Sequence, residues 1–310
     1  MILVTGATGY LGSNLVLHIL KSGKKVRACK REGSEIPEPL VPFQGSLEWV
    51  EADLLDIISL ELALDGIDQV YHCAGQMNDT SLSSREVLKV WVEGSANLID
   101  LCLEVKIRKL VFISSSVTLS IPDKNHTESV SLLKEFNNSH SSYVFGKIEA
   151  EKEAWRGIME GLPVIIVNPG LILPKWEERP NPHLSKLYTF GSDYYTLSEF
   201  GFIEMGDLVE CLVDLMDSDQ KDKQFPICSE VVRQLDFIAH INSRIPVPEP
   251  HKLYRRPIFR LISPSKRENR KNTLGAIEEL LKMPEAKYPL EATRSNPITG
   301  KVYKTLTQLF

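Results

Sequence analysis

Tyr143 and Lys147 stand four residues apart in a segment, residues 141–159, that reads as a helix. At that spacing both side chains lie on one helical face. Ser141 or Ser142 is placed to cap the helix start. A phenol beside an ammonium can do proton chemistry: free tyrosine titrates near ~10, and neighbouring positive charge favours the phenolate. Bringing it to neutral pH, about 3 pH units, asks for roughly 4 kcal/mol of differential stabilisation. A second candidate group is the run Ser114-Ser115-Ser116. Its last hydroxyl, on Ser116, falls just beyond an apolar strand, at the end of the sheet where open α/β folds bind ligands. The third is Thr5-Gly6-Ala7-Thr8-Gly9-Tyr10-Leu11-Gly12, which follows one apolar run and opens a helix. Glycines at such a turn permit positive φ and clear space for a close backbone approach, while the helix N-terminus offers free N–H groups and a favourable dipole to an anion.

The elements that must position these groups alternate. Strands are expected at residues 2–5, 25–30, 47–52, 69–73, 109–114 and 163–167, with helices at 10–21, 56–64, 84–104 and 141–159 between them. That order implies right-handed βαβ crossovers and an α/β fold, a doubly wound parallel sheet covered on both faces. After Pro169 the character changes. Residues 171–202 are rich in Pro, Gly and aromatics and read as loop and short elements, followed by a helix at 207–216, a late strand at 225–228 and Pro-punctuated helices from about Glu230. The expected division is a dinucleotide-type unit over 1–170, to which the chain returns near 205–229, and a smaller substrate region made of 171–204 and 230–310.

The chain has 310 residues, 25% charged and 43% hydrophobic, ordinary for a globular protein. Thirty-six Lys+Arg against 41 Asp+Glu leave a net charge of -5, which argues against a nucleic-acid partner. No stretch of ~18 apolar residues is present for an integral membrane segment, and the first residues lack a basic leader and read as a strand. Five cysteines in odd number, with no Cys-x-x-Cys pair, suit buried reduced thiols and a cytoplasmic setting. Seven histidines without a His-x-x-x-His or Cys/His cluster point to no metal site, and the absence of a Gly-x-Ser-x-Gly elbow leaves a hydrolase unsupported. The basic stretch Lys252–Lys271 reads first as a solvated face, with an anionic ligand or surface as the alternative.

The glycine spacing, Gly-x-x-Gly-x-x-Gly, resembles that of the extended short-chain dehydrogenase/reductase family, and more narrowly its dihydroflavonol-reductase-like branch. Over roughly residues 1–210 the motifs occur in family order: Val26–Arg31, Glu51-Ala52-Asp53-Leu54, Tyr71-His72-Cys73-Ala74, Val92-Glu93-Gly94, Ser114–Ser116, Tyr143 and Lys147, Asn168-Pro169-Gly170, and Phe202 through Asp207. The resemblance implies a Rossmann-type fold and a nicotinamide dinucleotide. It places Gly6, Thr8, Gly9, Tyr10, Leu11 and Gly12 at the diphosphate, Asp53 and Leu54 at the adenine, and Cys73, Ala74 and Gly75 at a ribose. Ser114, Asn168, Pro169 and Gly170 join the cofactor set. At the end of the second strand, where an acid would bind a ribose 2′-OH, stand Lys30 and Arg31, so NADP is favoured over NAD.

By the same resemblance Tyr143 is the acid/base, Lys147 holds the ribose and lowers the tyrosine's pKa, and Ser116 orients the reacting oxygen, with Ser115 as the alternate. The expected reaction is hydride transfer between NADP(H) and a ketone/secondary alcohol pair. A nucleotide-sugar epimerase or dehydratase with retained NAD, and a non-catalytic dinucleotide sensor, are the alternatives. Gln76, Met77, Val117, Thr118, Leu171, Trp176, Tyr194 and Tyr195 are the expected substrate contacts for a small carbonyl or alcohol compound. The helices Ser84–Glu104 and Ser141–Met159 form a homodimer interface in resembling proteins. Two departures stand out: Trp91 replaces an Asn before Val-Glu-Gly, and Gly146 replaces a Ser before the lysine. An indole cannot accept a hydrogen bond, so any proton relay behind Lys147 must differ, while Gly146 allows close packing.

Overall fold

The computed structural model describes residues 1–43, 45, 47–75, 84–120, 141–174, 194–195, 199–242, 252–253 and 294–309. Seven strands form one parallel sheet: β1 (Ile2–Thr5), β2 (Val26–Lys30), β3 (Glu48–Glu51), β4 (Gln69–His72), β5 (Lys109–Ile113), β6 (Val164–Pro169) and β10 (Lys223–Ile227), in the order β10-β6-β5-β4-β1-β2-β3. Helices α1 (Tyr10–Lys21), α2 (Ile57–Leu64), α3 (Ser84–Glu104) and α4 (Ser141–Met159) connect them. Beyond β6 the chain makes β7 (Leu171–Leu173), β8 (Tyr194–Tyr195), β9 (Glu199–Glu204) and α5 (Met205–Asp217), and after β10 come β11 (Glu230–Arg233), α6 (Gln234–Asn242), β12 (Lys252–Leu253) and α7 (Leu306–Leu309).

The sheet is buried on both faces because successive side chains alternate between two cores. Val4, Val111, Ile165 and Val167 meet Leu15, Ile19, Leu208 and Leu212 of α1 and α5. Their neighbours Leu3, Leu110, Phe112, Val164 and Ile166 meet Leu60, Leu98, Ile99 and Ala154 of α2, α3 and α4. Both surfaces of these strands must therefore be apolar, which is why they read as continuous runs. Asp56 starts α2 from outside, as its N-cap, accepting from the Ile58 N–H at 3.1 Å. No helix among the described residues is long and apolar enough to cross a membrane. All five cysteines are free thiols, and burial pushes Cys29 and Cys102 up to about 12, so both stay protonated.

The stretch after Pro169, expected as loop and short elements, contains one longer strand. β9 pairs in parallel with β7 and antiparallel with β11. This second sheet buries Phe200, Phe202 and Val232 with Phe237 of α6 and Leu306 of α7, and the Phe200 and Phe237 rings meet edge to face at 5.2 Å. Residues 294–309 return against α5. Asn296 donates to Asp214 at 2.7 Å, Lys304 pairs with the fully buried Glu204 at 2.8 Å, and Tyr303 enters the main core.

Candidate active site

The strand order reverses at β1, with β2 on one side and β4 on the other. In open α/β sheets that crevice, at the carboxyl ends of the strands, is where ligands bind. Here it is a cleft of about 440 Å³ whose lining includes Gly6, Thr8, Gly9, Lys30, Arg31 and Asp53. Leu54 and the run Cys73, Ala74, Gly75 complete the part expected from sequence. Thr5, Cys29, Ala52, Leu60 and Val90 also line it and were not foreseen. Three of these follow from one rule: Thr5, Cys29 and Ala52 fall at or beside the carboxyl ends of β1, β2 and β3.

The glycine turn closes tightly. Gly6 has φ +67, and a Cβ there would lie 2.6 Å from the Ala74 backbone. A Cβ on Gly12 would lie 2.1 Å from the Gly6 carbonyl oxygen, so the helix can approach the loop only as glycine. Gly9 donates to the Gly6 carbonyl at 2.9 Å and is the N-cap of α1, with no side-chain cap and no acid in the first turn. No side chain of its own thus competes with an anion at the start of α1. Tyr10 and Leu11, partly buried, pack against the main core. The ends of β1 and β4 are tied together beneath the cleft. Thr5 Oγ1 bonds His72 Nδ1 at 2.8 Å and accepts from the Ala74 N–H at 3.3 Å.

At the other end of the cleft the two basic residues behave differently. Lys30 is paired with Glu51, its register partner on β3. Arg31 is exposed and carries no ion pair among the described residues. Asp53 is exposed as well, with Oδ1 accepting from the Leu55 N–H at 2.8 Å. The donor set fits a dinucleotide: a glycine cradle that any Cβ would fill, a helix N-terminus without a side-chain cap, and a guanidinium just past the end of β2.

Lys147 is buried on α4 and donates from Nζ to the Ile113 carbonyl at 2.9 Å, at the carboxyl end of β5. Burial lowers its pKa to about 7, against the opposing pull of Glu151. Tyr143 lies one turn earlier on the same helix; only its backbone is described. Ser116 is buried and opens a 3-10 turn, Ser116–Ser120. The carboxyl ends of β5 and β6 are held by a carboxylate that was not anticipated. Glu151 Oε2 accepts from Ser114 Oγ, from Thr118 Oγ1 at 2.7 Å and from Asn168 Nδ2 at 2.8 Å, while Oε1 accepts from Gln224 Nε2 at 2.7 Å. Its signal was available: it lies four residues past Lys147, continuing the Tyr143/Lys147 stripe.

Not every expected contact falls in the cleft lining. Asn168 is fully buried at Glu151. Pro169 ends β6, and Gly170 lies against β9, where a Cβ would meet the Gly201 oxygen at 2.4 Å. Val117 is buried, Thr118 belongs to the Glu151 cluster, and Leu171 packs in the second sheet. Tyr194 and Tyr195 form β8, paired with β12, and are described in backbone only. Gln76, Met77 and Trp176 lie outside the described residues, as does the basic stretch beyond Leu253. Trp91 packs inward over Lys147, and Gly146 lies directly against its ring.

Comparison with known proteins agrees with this geometry. The sterol demethylase protein B of Methylococcus capsulatus is 28% identical over 257 residues, covering 79% of this chain and 77% of that protein. Cinnamoyl-CoA reductase 1 of Petunia hybrida is 27% identical, covering 80% and 79%. Dihydroflavonol 4-reductase of Dianthus caryophyllus is 24% identical, covering 81% and 76%. In fold, the chain is similar to WbmG of Bordetella bronchiseptica, solved with NAD and UDP, at a TM-score of 0.64 and 19% identity over 94% of this chain and 99% of that one. The model of the NAD dependent epimerase/dehydratase family matches residues 2–190, which span the glycine turn, the strand-end cleft and the Tyr143/Lys147 helix. The chain therefore belongs to that family and is an enzyme of the extended short-chain dehydrogenase/reductase type, dependent on NAD(P).

Proposed function

We propose that the protein is an NADP(H)-dependent oxidoreductase acting on a ketone/secondary alcohol pair. The observation that carries the reading is Lys147: an amine buried at the carboxyl end of β5, one helical turn after Tyr143, beside a cleft built for a dinucleotide. Bound there, NADP(H) supplies the exchange of a hydride with the substrate carbon. The uncapped start of α1, with Gly6, Thr8 and Gly9, holds the diphosphate. Arg31 takes the 2′-phosphate, since Lys30 is committed to Glu51. Asp53 and Leu54 border the adenine, and Cys73 to Gly75 the ribose.

Tyr143 gives a proton to the substrate oxygen in reduction and takes it back in oxidation. Lys147 favours its phenolate, and Ser116 hydrogen-bonds the same oxygen. Ser114, Asn168, Pro169 and Gly170 support these groups from the ends of β5 and β6. Substrate binds against Gln76, Met77, Val117, Thr118, Leu171, Trp176, Tyr194 and Tyr195. In this reading 1–170 with 205–229 forms the dinucleotide unit, and the separate sheet of β7, β9 and β11 favours a substrate region of 171–204 and 230–310. Trp155 and Met159, exposed on α4, favour a homodimer through α3 and α4, and five free thiols favour the cytoplasm.

The test is NADPH oxidation against a panel of aldehydes and ketones, with Tyr143→Phe alongside. Exchangeable NADPH with turnover, and loss of turnover by orders of magnitude in Tyr143→Phe at nearly unchanged cofactor affinity, is the expected result. Tightly retained NAD released only on denaturation would favour the epimerase/dehydratase reading, and binding without any turnover would favour a dinucleotide sensor.

A further inference from the structure

Among the described residues the buried Lys147 ammonium hydrogen-bonds a main-chain carbonyl, so its charge needs further compensation. That compensation comes from Trp91 of α3. Lys147 Nζ lies 4.2 Å from the centroid of the Trp91 ring. The ring, 4% exposed, is enclosed by two glycines. A Cβ on Gly146 would come within 2.7 Å of Cδ1, and a Cβ on Gly75 within 1.8 Å of Cη2. One glycine thus borders the pyrrole edge and the other the far edge of the six-membered ring. The indole spans from the residue beside Lys147 to the cleft, filling the space behind the lysine with an aromatic face.

We infer that Trp91 is a positioning residue for Lys147: the indole face holds the ammonium charged and aimed at the carboxyl end of β5, and Gly75 and Gly146 are the space that admits it. An aromatic face attracts a cation through its quadrupole, most strongly for tryptophan and more so where water is excluded. The titratable groups around the lysine are, among the described residues, His72 and Cys73 at the end of β4 and Glu151 one turn on along α4. Glu151 favours the charged amine, Cys73 is pushed up to about 12 by burial and stays a neutral thiol, and His72 stays neutral because burial, then the Lys147 charge, lowers it to about 3. Burial outweighs this support and leaves the lysine near neutrality, so the aromatic contact acts where a small change in stabilisation alters its charge at pH 7. The functional importance of that charge rests on the role proposed above for Lys147; the contact itself does not.

Fluorinated tryptophans test it with little change of shape. Mono-, di- and trifluorotryptophan placed at position 91 alone weaken the ring's attraction for a cation stepwise. The readout is the NMR titration of the Lys147 side chain in the full-length protein with Nζ-labelled lysine, assigned by loss of its signal in Lys147→Arg. The expected result is a midpoint that falls with each fluorine, by about one pH unit over the series. A midpoint that stays put, or rises, overturns the inference. Trp91→Phe, which keeps a smaller aromatic face, should give a midpoint above that of Trp91→Leu; equal values would also overturn it. The pH profile of kcat/KM for NADPH is recorded on the same proteins. If the NMR midpoint moves and the profile does not follow, the Trp91 contact stands and the catalytic role given to Lys147 is what fails.

Discussion

Glu151 offers a quantitative test of how the strand ends are held. Its carboxylate accepts four hydrogen bonds, three of them on Oε2. Glu151→Leu removes the acceptor but does not strand all four donors. Thr118 Oγ1 retains the Ser115 carbonyl at 2.8 Å, and Asn168 Nδ2 retains the same carbonyl at 3.2 Å. Gln224 is partly exposed and can turn to water. The second Asn168 N–H retains Thr118 Oγ1 at 2.9 Å, so what remains is the buried Ser114 hydroxyl. One buried donor without a partner, at ~1–3 kcal/mol, together with the weaker bonds left to Thr118 and Asn168, puts the loss at roughly 2 kcal/mol after the relief of no longer burying a charge. Glu151→Gln should cost under about 1 kcal/mol, because its amide oxygen can face Ser114, Thr118 and Asn168 while its NH₂ meets the carbonyl of a flipped Gln224. Urea unfolding of the two variants against the parent measures both numbers. Equal losses for Gln and Leu, or a Leu variant within 1 kcal/mol of the parent, would refute the hydrogen-bond accounting.

Gly12→Ala should lower the melting temperature and abolish dinucleotide binding, even though alanine is the better helix former by ~1 kcal/mol, because its Cβ would meet the Gly6 carbonyl at 2.1 Å; calorimetry and a cofactor titration check both. Arg31→Asp should weaken NADPH far more than NADH, whereas Lys30→Met, which removes a residue already paired with Glu51, should change the ratio little; titration with each cofactor reads this. Stability should decline as pH falls from about 6.5 towards about 3, the window in which the unfolded chain protonates His72 and the folded imidazole, buried and near the Lys147 charge, refuses the proton. His72→Gln should flatten that part of the curve in pH-dependent unfolding.

The elements that carry the cleft were legible because their burial pattern is local. Ile2–Thr5, Lys109–Ile113 and Val164–Pro169 are buried along their length, and α1, α3 and α4 fall on the ranges their sequence indicates. What stayed hidden depended on partners far along the chain. β9 lies in a stretch crowded with glycine, proline and aromatics, and its strand character shows only when Phe200 and Phe202 meet Val232 and Phe237. The docking of residues 294–309 rests on pairs such as Lys304 with Glu204, about a hundred residues apart. Lys30 looked equivalent to Arg31 until the register of β2 on β3 set it beside Glu51. Trp91 and Gly146 are the sharpest case. Read along the chain, they are two separate departures from the family pattern, fifty-five positions apart. In the folded molecule they are one change. A Cβ at 146 cannot coexist with the indole at its observed position, and the indole in turn faces the lysine next to that glycine. A larger residue at 146 would require a smaller one at 91, so the polar group that resembling proteins carry behind the lysine can be exchanged for an aromatic face only if both positions change together.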